Sequence, residues 1–102
     1  MSNVAEEKLY NVNEVAELFE KTSAWVYWCI TNDKFLYENG DPITPTSQTP
    51  KGSKKSYNLE TIQEMALSLY RSKTMTEEEL RTIIRKVLVE KEKHRMAISE
   101  GE

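Results

Sequence analysis

Apolar residues recur at helical spacing in two stretches near the start of the chain. Asn11 and Glu14 form a capping-box pattern at the head of the first stretch. Its apolar positions are Val12, Val15, Ala16, Leu18 and Phe19. Thr22 is a second candidate N-cap and predicts a helix that runs to about Thr31. The second predicted helix starts within about three residues of the end of the first, which is typical of a helix-turn-helix.

The C-terminal half predicts two further helices. Asn58 is the expected N-cap of an amphipathic helix over residues 59–72, and Thr76 with Glu79 forms another capping box. The apolar stripe of the last helix, predicted over residues 76–93, consists of Leu80, Ile83, Ile84, Val87 and Leu88. We expect this helix to fold back on the 59–72 helix, with a weak homodimer or an array on DNA as further options. Residues 1–9 and 94–102 are expected to be a flexible lead-in and a flexible tail.

The segment between these helical regions has a different character. Residues 32–56 hold all three prolines and all but one of the glycines. Asn39-Gly40 is a tight-turn dipeptide, and a second turn falls at Pro50–Ser53. These signals predict a small β-wing of two or three strands, with a plain linker as the alternative. The expected fold is therefore mainly α with a small β-wing, a winged helix-turn-helix over residues 10–72 followed by C-terminal helices.

Composition and charge narrow the class of protein. The 102 residues allow one domain, and the formal net charge of −3 excludes a strongly cationic coat for nucleic acid or membranes. Cys29 and His94 are the only cysteine and histidine, so neither an internal disulfide nor a zinc site is expected. No apolar run is long enough to span a bilayer, and the polar Met1–Lys8 segment is not a signal peptide. We expect a cytoplasmic protein.

The helix predicted over residues 22–31 carries aromatic residues on the side away from its apolar face. A helical wheel places Ala24 and Trp28 opposite Val26, with Tyr27 beside them. One hypothesis is that this side enters a DNA major groove, where apolar rings contact thymine methyl groups. The alternative is packing beneath the C-terminal helices or against a partner. For Trp25 we favour packing, and for Trp28 both readings stay open.

Two further features bear on nucleic-acid binding. No Arg, Lys, Asn or Gln occurs between Thr22 and Ile30, which weakens the expectation of sharp base readout. The densest basic cluster is Lys51, Lys54 and Lys55 on the predicted wing. These lysines can reach phosphates across a minor groove, or they can simply protect an edge strand from pairing.

Four segments taken in order resemble the winged helix-turn-helix DNA-binding proteins of the MerR-like and phage excisionase-like family. They are Tyr10–Leu18, Thr22–Ile30, Gln48–Tyr57 and Asn58–Ile62. The resemblance implies binding of double-stranded DNA, with helix 22–31 in the major groove and wing 48–57 on the minor groove. It implies a transcriptional regulator or an excisionase-type accessory factor. The implied DNA contacts are Thr22, Ser23, Tyr27, Trp28, Lys51, Ser53, Lys54 and Lys55.

Two other classes of function are weaker expectations. A protein-interaction module would use the aromatic residues of helix 22–31 and the C-terminal helix to hold a protein partner. An enzyme is the least favoured class, because the chain has no Gly-rich phosphate loop and no metal-ligand spacing. Cys29 falls on the predicted buried side without an obvious base. No cofactor, metal or small-molecule substrate is expected.

Overall fold

The computed structural model describes residues 8–48 and 54–100, with side chains described as far as residue 95. Within these ranges the chain is mainly helical with one small sheet. The elements in order are β1 (Tyr10–Asn11), α1 (Val12–Phe19), α2 (Ser23–Thr31), β2 (Ser47–Gln48), β3 (Lys55–Tyr57), α3 (Leu59–Arg71) and α4 (Glu77–Glu100).

Side-chain caps set the starts of the helices, at the positions that the sequence predicts. The Asn11 side chain accepts a hydrogen bond from the backbone N–H of Glu14 (2.8 Å), and the Glu14 carboxylate accepts one from the backbone N–H of Asn11 (2.9 Å). Thr76 and Glu79 exchange the same pair of bonds before α4. Such caps satisfy N–H groups that have no partner within the helix. The predicted caps of α2 and α3 are confirmed as Thr22 and Asn58.

The sheet is antiparallel, in the order β1-β3-β2, and Tyr10 pairs with Tyr57. Strand β1 was not predicted, because two residues are too few to show an alternating pattern. Strands β2 and β3 pair across the segment predicted to form the wing, with β2 beginning at Ser47. The turn at Asn39-Gly40 closes only an isolated bridge between Leu36 and Pro42. The strands expected on either side of that turn are therefore reduced to this one bridge.

The core lies where α1, α2 and the sheet meet the α3–α4 pair. Its largest fully buried side chains are Val15, Val26, Cys29, Ile62, Met65, Leu69 and Val87. Helix α4 packs against α3, and its Ile83 and Val87 are buried in this core. Leu88 is 55% exposed, so its predicted place in the apolar stripe is wrong. The buried positions are one helical turn apart, and Leu88 lies about 100° round the helix from Val87.

Helix α4 continues to Glu100, beyond the predicted end at residue 93. Neither glycine nor proline interrupts residues 77–100, so nothing in the local sequence stops the helix. Ion pairs one turn apart, Lys93 with Glu90 and Arg95 with Glu92, support its later turns. The tail expected over residues 94–102 is thus helical as far as Glu100. No helix in the two described ranges is long and apolar enough to cross a membrane.

Candidate nucleic-acid interface

One side of α2 is left uncovered by the rest of the described chain. Val26 and Cys29 are fully buried, whereas Tyr27 and Trp28 are 45% and 48% exposed. The four exposed positions of α2 are spaced by three and four residues and so share one face of the helix. We call this surface the α2 outer face; it consists of Ala24, Tyr27, Trp28 and Thr31. From the helical rise, it is about 10 Å long.

The two tryptophans of α2 have different environments. Trp25 is half-buried and packs edge-on against Phe19, with ring centroids 6.3 Å apart and an interplanar angle of 71°. Trp25 is therefore packed, as favoured, but this ring contact is with α1 and not with the C-terminal helices or the partner that the prediction named. The Trp28 ring lies beneath the ammonium group of Lys34, which is 5.6 Å from the ring centroid. This cation–π contact favours one position of the ring by about 0.5 to 1 kcal/mol and leaves almost half of the side chain open.

Lysines flank both ends of α2. Lys21 precedes the helix, and its ammonium group is 5.4 Å from the centroid of the Trp25 ring. Lys34 follows the helix, where its backbone N–H donates to the carbonyl of Cys29 (2.9 Å). The Ser68 hydroxyl of α3 donates a second hydrogen bond to this residue, at the carbonyl of Lys34 (2.6 Å). The backbone of Lys34 is thereby fixed from two sides.

Sequence reasoning did not select Lys34 as a site residue. The chain turns back after α2 through Asp33, whose positive φ of 55° is uncommon for a residue other than glycine. That turn brings Lys34 over Trp28. The dipeptide Asn32-Asp33 is the only local signal, because Asn and Asp tolerate this conformation better than most residues.

The hydroxyl groups at the start of α2 already have partners within the chain. Thr22 accepts a hydrogen bond from the backbone N–H of Trp25 (3.1 Å), and the Ser23 hydroxyl donates to the side chain of Asn13. The contact brings Asn13 of α1, an exposed residue that was not predicted as part of the site, to the N-terminal end of α2. No acidic residue occurs in the first turn of α2. This end of the helix therefore suits a negatively charged group such as a phosphate.

Tyr57 of strand β3 lies near Tyr27 of the α2 outer face. Burial raises the pKa of the Tyr57 hydroxyl to about 12, and the electrostatic influence of nearby Tyr27 adds to the rise. Lys55 lies on the same face of β3 as Tyr57, because alternate residues of a strand point the same way, and is about 7 Å from it along the strand. Lys54 comes just before the strand, with the opposite orientation.

The predicted site is thus only partly brought together. Tyr27 and Trp28 share the α2 outer face, Thr22 and Ser23 lie at its N-terminal end, and Lys55 lies on strand β3. Lys51 and Ser53, which were also predicted to contact DNA, lie outside the described residues.

Comparison with known proteins gives a family. A family model for a domain of unknown function, DUF7229, matches residues 1–90. The chain belongs to the DUF7229 family. No curated protein and no solved structure matches it.

The single thiol of this DUF7229 chain lies in the core. Cys29 is fully buried, and burial raises the pKa of its thiol to about 11. The neutral thiol predominates at physiological pH, so Cys29 acts here as an apolar packing residue. Among residues 8–48 and 54–95, no group of three or more His, Cys, Asp and Glu side chains is placed to hold a metal ion.

A groove runs between α1 and α4 of the DUF7229 domain, outside the proposed interface. At one end of it, the Tyr10 hydroxyl donates to the Glu90 carboxylate (2.7 Å). Burial and this carboxylate raise the pKa of Tyr10 above its ordinary value. Leu18 and Val89 give the groove its apolar lining. The bond ties the sheet to α4.

Proposed function

We propose that the chain is a small DNA-binding protein of the winged helix-turn-helix class, either a transcriptional regulator or an excisionase-type accessory factor. In this proposal α1 and α2 form the helix-turn-helix, and residues 48–57 form the wing. Helix α2 enters a major groove while the wing lies on the adjacent minor groove. The observation that carries the proposal is the uncovered α2 outer face, which lies between Lys21 and Lys34.

Local charge favours this surface despite the net charge of −3. Helix α2 itself has no acidic residue. Lys21, which also pairs with Glu79 (3.7 Å), and Lys34 lie at its two ends, and Lys54 and Lys55 lie at the start of β3. The backbone N–H groups of the first turn of a helix have no partner within the helix and attract phosphate. In this proposal the first-turn N–H groups of α2 that Thr22 does not cap contact one strand of the duplex, while the lysines contact phosphates on both sides.

Binding to duplex DNA and its salt dependence test the proposal. A fluorescently labelled pool of random duplexes is titrated with the purified chain, and the anisotropy is followed at low salt and at increasing salt. We expect affinity that falls steeply with salt, because each phosphate contact releases counterions. If no duplex binds even at low salt, the proposal is wrong.

Charge-matched variants separate interface lysines from other lysines. Lys55→Gln removes one phosphate contact, so the log–log salt slope should become shallower by about 0.9. Lys93→Gln makes the same charge change on α4 beside the α1–α4 groove and should leave the slope unchanged. Equal slopes for the two variants would remove Lys55 from the interface. Tyr27→Ala, by contrast, should weaken binding mainly to preferred sequences.

A protein-interaction module is the second candidate. It is favoured by two adjacent apolar residues on α4, Leu88 and Val89, which are 55% and 50% exposed. Affinity capture that recovers the same protein partner after nuclease treatment would support it. Leu88→Ser should then abolish capture and leave DNA affinity unchanged, since Leu88 is not part of the α2 outer face.

A further inference from the structure

We propose that the α2 outer face selects DNA mainly through thymine methyl groups, so that its target sites carry thymines at the base pairs beneath α2. This inference rests on the proposed function, and it names the chemical feature of the duplex that this face reads. It follows from which atoms of the bases the exposed side chains can contact and which they cannot.

The α2 outer face has no side chain that can make a bidentate contact with a base. Guanine and adenine are usually distinguished by Arg, Lys, Asn or Gln, and none of these lies on this face. Tyr27, Trp28 and Thr31 each offer one polar group at most, a hydroxyl or an indole N–H. A single donor can contact purine N7 of either adenine or guanine and therefore discriminates poorly between them.

Most of the surface that this face offers is apolar. The Ala24 and Thr31 side chains present methyl groups, and the Tyr27 and Trp28 rings are each nearly half exposed. In the major groove the matching apolar group is the C5 methyl of thymine. A cytosine amino group beneath the ring faces, away from the Tyr27 and Thr31 hydroxyls, would lose its hydration without gaining a partner, which disfavours that base there. The face therefore attracts thymine and disfavours cytosine.

The geometry provides room for several such contacts. A face of about 10 Å spans roughly three base pairs at 3.4 Å each. Lys34 covers one side of the Trp28 ring, and its own backbone is fixed by Cys29 and Ser68. Because this contact already favours one position of the ring, the ring loses less rotamer freedom on binding, which favours an apolar contact of modest strength.

Replacing thymidine by deoxyuridine tests the inference directly, because thymine and uracil differ only in the C5 methyl. The preferred duplex is first selected from a random thymidine-containing pool, and each thymine is then replaced singly by deoxyuridine. We expect affinity to fall about fourfold for one contacted methyl and about fifteenfold for two, as the loss of apolar burial predicts. Exchange of a contacted T·A pair for 5-methylcytosine·G should retain more affinity than exchange for C·G.

Variants assign the effect to α2. Trp28→Ala should abolish the difference between thymine and deoxyuridine at the positions under its ring. Tyr70→Ala is the matched control, because Tyr70 is an aromatic residue of α3 with 41% exposure and should keep the full difference. The deoxyuridine measurement on the unaltered chain needs no variant, so poor folding of Trp28→Ala would leave the main test intact.

The outcomes separate this inference from the proposed function. Failure to bind any duplex would contradict DNA binding itself. Equal affinity for thymine and deoxyuridine duplexes would overturn methyl readout and leave DNA binding standing. A thymine preference that persists in Trp28→Ala and also in Tyr27→Ala would show that another part of the chain reads the methyl groups, and would overturn the assignment to this face.

Discussion

Ser68 connects α3 to the segment that carries Lys34, and its removal should destabilise the fold measurably. Its hydroxyl, which is buried, accepts a hydrogen bond from the backbone N–H of Leu36 (2.8 Å) and donates to the carbonyl of Lys34 (2.6 Å). Ser68→Ala leaves one donor and one acceptor unpaired. Because Leu36 and Lys34 are only half-buried, each loss should cost about 1 to 1.5 kcal/mol, near the lower end of the usual range.

The net effect of Ser68→Ala follows after one correction. Alanine is a better helix former than serine by about 0.5 kcal/mol, which leaves a net loss of about 2 kcal/mol. For a domain of this size that corresponds to a fall in Tm of about 10 °C. Urea unfolding and thermal melts followed by circular dichroism measure both quantities.

Ser72→Ala is the matched control for this prediction. Ser72 ends α3, is exposed, and makes its hydrogen bonds to the Leu69 carbonyl (3.2 Å) and the Thr74 hydroxyl (2.9 Å), where water can replace it. Its loss should cost less than about 0.5 kcal/mol. If the two variants were equally stable, the reasoning that the Ser68 hydroxyl holds the Lys34 segment would be refuted.

Three further changes test other parts of the fold. Tyr10→Phe keeps the buried ring but removes the bond to Glu90, so urea unfolding should show a loss of about 1 kcal/mol. Lys73→Gly should increase the free energy of unfolding by about 1 kcal/mol and so raise Tm, because residue 73 has φ 64° and glycine adopts this conformation without strain. Lys73→Ala should give no such gain. Hydrogen bonds from Thr76, the backbone N–H first, lower the pKa of Glu79. Its stabilising effect is therefore present at neutral pH and lost as pH falls through that lowered pKa, and Glu79→Gln should flatten this part of the stability–pH curve.

The sequence predicts the helix starts because the capping interactions are local. A side chain such as Thr22 bonds to a backbone group three residues later, so the whole interaction is visible in one short window of sequence. The same applies to the burial of Val26 and Cys29, which follows from their spacing along α2. Helix ends are harder to predict: α4 passes residue 93 because its later turns contain no helix-breaking residue.

The missed features all depend on contacts between distant residues. Tyr10 joins the sheet only by pairing with Tyr57, and Ser68 is buried only because Lys34 and Leu36 lie against it. In the sequence, Ser68 is simply one polar residue on the apolar face of α3, and nothing nearby indicates its two hydrogen bonds. Lys34 became a candidate site residue only once the turn after α2 and its contact with Trp28 were visible.

The orientation of α2 should depend on the core rather than on ion pairs, and this affects how salt experiments are interpreted. Two ion pairs join the α1–α2 turn to α4, Lys86 with Glu20 (2.6 Å) and Lys21 with Glu79 (3.7 Å). Their side chains are partly exposed, so each pair should contribute about 0 to 1 kcal/mol and be screened by salt. Burial of a side chain such as Val26 contributes about 1.5 to 3 kcal/mol and is not screened.

It follows that salt should weaken DNA binding without loosening the surface that binds. Between about 50 and about 200 mM salt, several phosphate contacts would lower affinity by orders of magnitude. Over the same range Tm should change by only a few degrees, because the core that positions α2 is apolar. Parallel titrations of DNA affinity and of Tm test this directly. A large drop in Tm over that range would mean that the ion pairs of the α1–α2 turn position α2, and the salt slope would then no longer count phosphate contacts.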